Sequence, residues 1–233
     1  MITIESLDKV SYDIIFRGFS EAFRSYEFQL NKDQLLAMLH RRGFVPQLSF
    51  GAFENEKLVS FTLNGIGSYN GIKTAYDTGT GTLEAYRGKG LASKIFKTTV
   101  PFLKEAGITQ YLLEVLQHNP KAISVYIKLD FKVSQEFNYF GASADDLNLT
   151  AVKLSPKVIV KETSLEKLKD VSEFWDFTPS WQNSFEAINR CLSDFKIFGA
   201  FYEHQLVAYG IFEPSSGDIT QIAVDKAYRR QGM

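Results

Sequence analysis

Glycine and basic residues are concentrated in one short stretch, Glu84-Ala85-Tyr86-Arg87-Gly88-Lys89-Gly90-Leu91-Ala92, between a strand-like run and a helix-like run. Because glycine adopts left-handed backbone conformations at little cost, Gly88 and Gly90 allow consecutive N–H groups to point into one concave nest. The positive end of the helix dipole would add to the attraction for an anion. The stretch is therefore predicted to bind a phosphate group, although a solvated basic turn before an ordinary helix has the same composition.

A carboxylate lies within the next apolar run. Glu114 interrupts residues 109–116, which the pattern predicts to be a buried strand, parallel to the strand before the turn because a helix crosses between them. A buried carboxylate is costly unless it is paired, hydrated in a cleft or used in chemistry, so Glu114 is a candidate functional residue. Asn119 precedes Pro120 and is predicted to cap the following helix, whose apolar face carries Tyr126.

These residues must be positioned by a mixture of helices and strands. The glycines at positions 79 and 81 interrupt the strand before the turn, which predicts a bulge or the close approach of a ligand or of another part of the backbone. Apolar spacing predicts helices within 7–28 and over 33–39 and 91–106, and strands over 48–53, 58–66, 72–83, 131–133, 136–140 and 147–154.

The composition and the N-terminal sequence argue against several classes of protein. The chain of 233 residues carries a net charge of −1, so no overall field attracts nucleic acid or an anionic membrane. Its N-terminus lacks the pattern of a signal peptide, no apolar run is long enough to span a membrane, and the lone Cys191 permits no intrachain disulfide. We therefore expect a cytoplasmic protein, and the wide separation of its three histidines predicts no metal site.

The chain contains an internal repeat. The motif Phe-Gly-Ala-Phe at 50–53 recurs at 198–201, and Ala-Tyr-Arg at 85–87 recurs at 227–229. Such a long period predicts a duplicated domain, with one copy over residues 1–155 and the start of a second over 156–233. The second copy is expected to be incomplete, because the sequence stops directly after its basic turn.

The order of these motifs resembles the acetyl-CoA site of the GCN5-related N-acetyltransferase (GNAT) family. The family pattern Arg/Gln-x-x-Gly-x-Gly/Ala is matched by Arg87, Gly90 and Ala92. Downstream, the family has a Leu-Glu-Val strand, an asparagine, an alanine and a tyrosine before a Gly-Phe pair. These are matched, in order, by Leu113-Glu114-Val115, Asn119, Ala122, Tyr126 and Leu129-Asp130-Phe131. One departure is Asp130, which stands where the family usually has glycine, but aspartate tolerates a left-handed backbone better than most residues.

The resemblance implies an α+β fold with a mixed, splayed sheet flanked by helices, here duplicated. It also implies acetyl-CoA as co-substrate, with the backbone of residues 87–92 on the pyrophosphate and the backbone of Thr82 and Leu83 along the pantetheine arm. The residues assigned to the cofactor are Thr82, Leu83, Arg87, Gly88, Lys89, Gly90, Leu91, Ala92 and Asn119.

Direct transfer of an acetyl group to a primary amine requires a base for the amine and an acid for the leaving thiolate. The resemblance assigns these roles to Glu114 and Tyr126, with Asp77 and Glu84 as further candidate bases. The acceptor is a small molecule or a peptide N-terminus, and a homodimer is compatible with the resemblance. The alternative function is a CoA-binding regulatory or scaffold module without turnover.

Overall fold

The computed structural model describes residues 1–26, 29–147, 157–168 and 170–231. The chain divides into two compact units. Unit 1 comprises Met1–Asp130 with Glu186–Arg190, and unit 2 comprises Phe131–Phe185 with Cys191–Met233. The predicted domain boundary at residue 155 and residues 148–154 of the last predicted strand of the first copy lie outside the described residues.

The sheet of unit 1 consists, in spatial order, of β1 (Ile2–Ser6), β2 (Phe50–Glu54), β3 (Lys57–Tyr69), β4 (Ile72–Thr82) and β5 (Gln110–Leu112). Neighbouring strands are antiparallel except for β4 and β5, which are parallel as predicted. Asn70 and Gly71 both have positive φ and form the tight turn between β3 and β4. We did not predict β1, whose short apolar alternation gives a weak signal.

Four helices accompany this sheet: α1 (Tyr12–Ala22), α2 (Lys32–Arg41), α3 (Leu91–Glu105) and α4 (Pro120–Ile127). Helix α3 runs through Pro101 and is followed by Gly107 at φ 76°, a conformation that favours glycine after a helix end. Helix α4 begins after Asn119 as predicted, and Asp130 beyond its end adopts φ 65°, in the left-handed region.

The sheet opens between its two parallel strands. Strand β5 pairs with β4 only at Thr74, Ala75 and Tyr76, whereas β4 continues to Thr82. The predicted mixed sheet is thereby confirmed, and the end of the pairing beyond Tyr76 agrees with the predicted splay. The prediction that Glu114 lies in a buried strand was wrong, because β5 ends at Leu112 and Glu114 is exposed beyond it.

The glycines of β4 mark a bulge and also make room for the core. Gly79 pairs with Leu63 and Asp77 pairs with Asn64, so that Thr78 is the extra residue on β4. A Cβ added to Gly81 would lie 2.5 Å from the Phe61 ring, which is fully buried. Aromatic packing against the backbone therefore requires glycine at position 81.

Replacing Gly81 with alanine should lower the free energy of unfolding by about 1–3 kcal/mol, because the buried Phe61 ring would have to move. Gly210→Ala is the matched control, since an added Cβ there meets no atom of the described residues within 4 Å. Denaturant unfolding of both variants checks the prediction. Equal stability of the two would contradict the packing role of Gly81.

The predicted strands at 131–133 and 136–140 were wrong. No strand is present between residues 128 and 147, within the described part of the chain. Val133 is 74% exposed, Tyr139 90% and Phe140 87%. These side chains form no buried face, and without one an alternating pattern does not by itself make a strand or fix its register.

Unit 2 contains a four-stranded antiparallel sheet formed, in spatial order, by β6 (Val158–Glu162), β7 (Lys196–Tyr202), β8 (Gln205–Glu213) and β9 (Asp218–Val224). A short helix, α5 (Phe185–Arg190), lies between β6 and β7 along the chain. The register of the β7–β8 pair shifts between Ala200 and Phe201, and that of β8–β9 shifts between Ile211 and Phe212.

Candidate active site

The turn after β4 is held by Arg87. Its guanidinium donates from Nε to the Thr82 carbonyl (3.1 Å) and from Nη2 to the Ala22 carbonyl (3.0 Å), while its backbone N–H donates to the Glu84 carbonyl (3.1 Å). Two of the five guanidinium N–H donors and the backbone N–H of Arg87 are thus used within the protein. These bonds hold the turn, while the side chain remains exposed.

The backbone nest begins one residue later. Gly88 and Gly90 have φ of 77° and 72°, and Leu91 is the first residue of α3. Within the described part of the chain, the N–H groups of residues 88–92 donate to no backbone or side-chain acceptor. Consecutive free donors at a helix N-terminus form an anion-binding concavity, the geometry that the sequence predicted.

The backbone of Thr82 faces the opening beside β4. The Leu83 N–H donates to the Val59 carbonyl (2.9 Å), so this N–H is already used within the sheet. Because hydrogen-bonding directions alternate along an antiparallel pair, the N–H groups of Thr82 and Thr80 point away from β3, beyond the reach of β5. Thr80 was missed by the sequence analysis, and Leu83 offers no free N–H.

A column of polar side chains crosses β3 and β4 beneath α3. Ser60 Oγ lies 2.7 Å from Thr82 Oγ1, Thr62 Oγ1 lies 3.0 Å from Thr80 Oγ1, and Asn64 pairs in register with Asp77. Most of these side chains are buried, and Asn64 also accepts from the Tyr111 hydroxyl (2.6 Å). We name Ser60, Thr62, Asn64, Asp77, Thr80 and Thr82 the polar column.

Tyr126 of α4 joins the polar column at Asp77. Its hydroxyl donates to Asp77 Oδ2 (3.0 Å), an oxygen that also accepts from Thr80 Oγ1 (2.6 Å). Burial raises the pKa of Tyr126, and the charge of Asp77 raises it further. Tyr126 therefore keeps its proton at neutral pH, as a general acid must.

A small cavity adjoins this hydrogen bond. Its volume of about 20 Å³ is sufficient for one water molecule. Its lining combines the polar column with the faces of α3 and α4 and consists of Thr62, Asp77, Thr80, Ala92, Phe96, Val125, Tyr126 and Leu129.

Glu114 belongs to a different group of side chains. It is exposed, and its hydrogen bond to Tyr76 contributes, after burial, to raising the pKa of that tyrosine. Its charge also raises the pKa of Tyr69, again after burial. The structure thus places Tyr126 with Asp77, and Glu114 with Tyr76 and Tyr69, while the charge of Asp77 also contributes to raising the pKa of Tyr76. Of the further candidate bases, Asp77 is buried and Glu84 is exposed.

Asn119 caps α4 and in this way helps to position Tyr126. Its side-chain Oδ1 accepts from the Ala122 N–H (3.2 Å), and its Nδ2 lies 3.4 Å from the Tyr26 hydroxyl. The predicted cap is therefore present. The side-chain oxygen of Asn119 is used in the cap, so only its amide nitrogen could also serve a cofactor.

The order of these elements can be compared with known proteins. The model of the acetyltransferase (GNAT) family matches residues 12–131, just over half of the chain. The chain belongs to the GNAT family. N-alpha-acetyltransferase MAK3 of Arabidopsis thaliana is 26% identical over 114 residues, which are 48% of this chain and 60% of that protein. The chain thus spans less than two thirds of the length of this curated relative.

Solved structures add a likeness of fold. A putative acetyl transferase from Pyrococcus furiosus aligns over 61% of this chain and 100% of its own, with a TM-score of 0.51 and 18% identity. The ribosomal-protein-S18-alanine N-acetyltransferase of Escherichia coli aligns over 62% of this chain and 86% of its own, with a TM-score of 0.49 and 20% identity. The family match and the likeness to the Pyrococcus furiosus protein confirm the GNAT-like α+β fold, with its mixed sheet and flanking helices.

The GNAT family uses acetyl-CoA, and the residues of this chain fit that group. Five free N–H donors at the start of α3 suit a pyrophosphate, and the N–H groups of Thr80 and Thr82 suit an extended amide-containing arm. Among the described residues, no cluster of three His, Cys, Asp or Glu side chains could hold a metal ion. Nor does any described helix combine the length and apolarity needed to cross a bilayer.

Asp77 should make the stability of this GNAT domain depend on pH. Burial raises the pKa of Asp77 above its unfolded value of about 3.9, against the opposing hydrogen bonds of Thr80, Tyr126 and Gly79 and the charge of Arg42. Between the two pKa values the folded state binds more protons, so stability falls as pH rises through the folded pKa.

Asp77→Asn should therefore remove this loss, because asparagine does not ionise. The free energy of unfolding of the variant, relative to the wild type, should increase as pH rises from about 4 to 7. Urea unfolding at several pH values checks this expectation. A difference that stays constant, or that falls with pH, would contradict it.

Proposed function

We propose that this chain is an N-acetyltransferase that transfers an acetyl group from acetyl-CoA to a primary amine by direct attack. The observation that carries the proposal is the placement of the Tyr126 hydroxyl beside the open part of β4, on the polar column that begins next to the backbone nest. Such an arrangement supplies both an anion-binding end and a proton donor along one path. Membership of the GNAT family supports the same reaction.

In this proposal, different backbone groups bind different parts of acetyl-CoA. The N–H groups of residues 88–92, from Gly88 and Lys89 through Gly90 to Leu91 and Ala92, bind the pyrophosphate. Thr82, together with Thr80, pairs with the pantetheine arm as an added strand would. Leu83, whose N–H is used within the sheet, and Arg87, which is hydrogen-bonded to the Thr82 and Ala22 carbonyls, shape this site, and Asn119 lies at its α4 end.

The proton transfers fall to two residues. An amine with a lysine-like pKa of about 10.4 is protonated at neutral pH and must lose a proton before it attacks the thioester. Glu114 accepts this proton, directly or through water, and its exposure leaves it open to the acceptor. Tyr126 donates a proton to the leaving thiolate, whose thiol has a pKa of about 8.5.

The acceptor is an amine of a small molecule or the N-terminus of a peptide. The name of the Arabidopsis relative, an N-alpha-acetyltransferase, supports a peptide N-terminus. A cytoplasmic location agrees with the single Cys191, and the net charge of −1 agrees with a protein that binds neither nucleic acid nor membrane. A homodimer is compatible with the proposed function.

We further propose that unit 2 contains the first part of a second copy of this domain. The register shift between Ala52 and Phe53 in unit 1 recurs between Ala200 and Phe201, each 148 residues later. Likewise, the Nε of Arg229 donates to the Val224 carbonyl at 3.1 Å, as Arg87 Nε does to the Thr82 carbonyl, both 142 residues earlier. These are the two offsets that the sequence repeat predicts.

The alternative function, a module without turnover, suits unit 2 better than unit 1. In the proposed alignment the polar column is replaced by apolar residues and a glycine. Asn64 and Asp77 correspond to Phe212 and Ile219, which pair in the same register. The other replacements are Ala208 and Val224 for Ser60 and Thr82, and Gly210 and Ile222 for Thr62 and Thr80.

The proposed activity is tested by thiol release from acetyl-CoA in the presence of amines that include diamines, aminoglycosides and short peptides with free N-termini. We expect release with at least one class, and calorimetric binding of acetyl-CoA. Binding without turnover over the whole panel would favour the alternative function. The absence of both binding and turnover would exclude the two proposals together.

A further inference from the structure

The buried carboxylate of Asp77 accepts hydrogen bonds from three residues. Its Oδ1 accepts from the Gly79 N–H (2.9 Å), and its Oδ2 accepts from Thr80 Oγ1 (2.6 Å) and from the Tyr126 hydroxyl (3.0 Å). The side chain is 7% exposed. The proposed roles of Tyr126 and Glu114 do not account for a carboxylate at this position.

The hydrogen bond between Asp77 and Tyr126 limits what Tyr126 can do. A phenol has one proton and can donate it in one direction at a time. While Asp77 is ionised, that proton points at Asp77 Oδ2 and not toward a leaving thiolate. When Asp77 is protonated, its own O–H can donate to the Tyr126 oxygen, and the phenol proton becomes free to point elsewhere.

The surroundings of Asp77 favour the protonated form more than an exposed site would. Burial raises the pKa of Asp77. The charge of Arg42, at the end of α2, works in the opposite direction. The charge of Asp77 in turn raises the pKa of Tyr76 in β4 and of Tyr111 in β5, after burial. The adjoining cavity is large enough for one water molecule, which could exchange a proton with Asp77.

We propose that Asp77 is the positioning residue and proton reservoir behind Tyr126, an inference that rests on the proposed acetyl transfer. As the C–S bond breaks, the thiolate sulfur takes the proton of the Tyr126 hydroxyl, and the Tyr126 oxygen takes the proton of Asp77. The negative charge moves from sulfur to Asp77, which leaves the hydrogen bond in the direction seen in the structure. Asp77 then takes up a proton from solvent, and Glu114 releases to solvent the proton that it took from the amine, so the protons balance over the cycle.

The test compares two acetyl donors that differ in their need for an acid. Acetyl-CoA releases a thiolate that is helped by a proton, whereas the analogue with selenium in place of the thioester sulfur releases a selenolate that leaves without one. With acetyl-CoA, we expect Asp77→Asn to lower kcat by about 10–100-fold, less than a full loss of acid catalysis. With the selenium analogue, the kcat values of Asp77→Asn and of Tyr126→Phe should both lie within about threefold of the wild-type value, because general acid catalysis is no longer needed.

A double variant and a control complete the design. Because the two residues act as one unit, Asp77→Asn combined with Tyr126→Phe should be no slower than Tyr126→Phe alone. Asp8→Asn, at an exposed carboxylate, should leave kcat unchanged with both donors. Should Asp77→Asn fail to fold, Asp77→Ser removes the carboxyl and retains an acceptor for the Gly79 N–H.

Four results separate the possible failures. Wild-type kcat in Asp77→Asn with acetyl-CoA would overturn the role of Asp77, as would an equal loss with both donors, which indicates a merely structural residue. Additive losses in the double variant would overturn the coupling to Tyr126. A wild-type protein that transfers acetyl from neither donor would instead overturn the proposed function itself.

Discussion

Replacing Tyr126 with phenylalanine should lower kcat for acetyl transfer by about 100-fold to 10,000-fold, the usual contribution of a positioned general acid. The KM for acetyl-CoA should change little, because the hydroxyl lies at the polar column and the N–H groups proposed to bind the pyrophosphate lie in residues 88–92. Thiol release at saturating and limiting acetyl-CoA separates the two constants. A KM that rises while kcat is unchanged would assign Tyr126 to binding instead.

The same substitution has a structural cost that must be measured beside the rate. Without the phenol, Asp77 Oδ2 loses one of its two donors while the carboxylate stays buried, which costs about 1–3 kcal/mol. Tyr139→Phe is a matched control, since Tyr139 is 90% exposed. Thermal melting shows whether the variant is folded at the assay temperature, so that a loss of kcat can be attributed to the missing proton donor.

Local features of the site could be predicted from the sequence. The glycines at 88 and 90, the cap at Asn119 and the left-handed Asp130 each depend on residues a few positions apart, and the structure has all of them. The parallel strand after α3 also follows from local order, because a helix must cross between two parallel strands.

Features that depend on distant partners could not be predicted in this way. The hydrogen bond from Tyr126 to Asp77 joins residues 49 positions apart. The exposure of Glu114 depends on where β5 leaves β4, and the missing strands at 131–140 depend on whether a neighbour is present to pair with them. One signal of the polar column was available: Ser60, Thr62 and Asn64 alternate with the apolar residues Phe61 and Leu63 along β3.

Replacing Lys89 with glutamate should raise the KM for acetyl-CoA by about tenfold, equivalent to about 1.4 kcal/mol, through repulsion of the pyrophosphate. Lys89 lies between the two nest glycines, and its ammonium is 4.8 Å from the Tyr86 ring centre. The kcat should change little, because the Tyr126 hydroxyl and the polar column are unaltered. Initial rates over a range of acetyl-CoA concentrations measure the effect, which should weaken as salt is added.

The expected stability of this variant distinguishes a binding effect from a folding effect. A carboxylate near the start of α3 interacts favourably with the helix dipole, so Lys89→Glu should melt no lower than the wild type even as its KM rises. Lys97→Glu makes the same charge change at an exposed position within α3, away from the nest, and should leave KM unchanged. If the two variants raise KM equally, the cofactor responds to overall charge, and the nest of residues 88–92 is not its binding site.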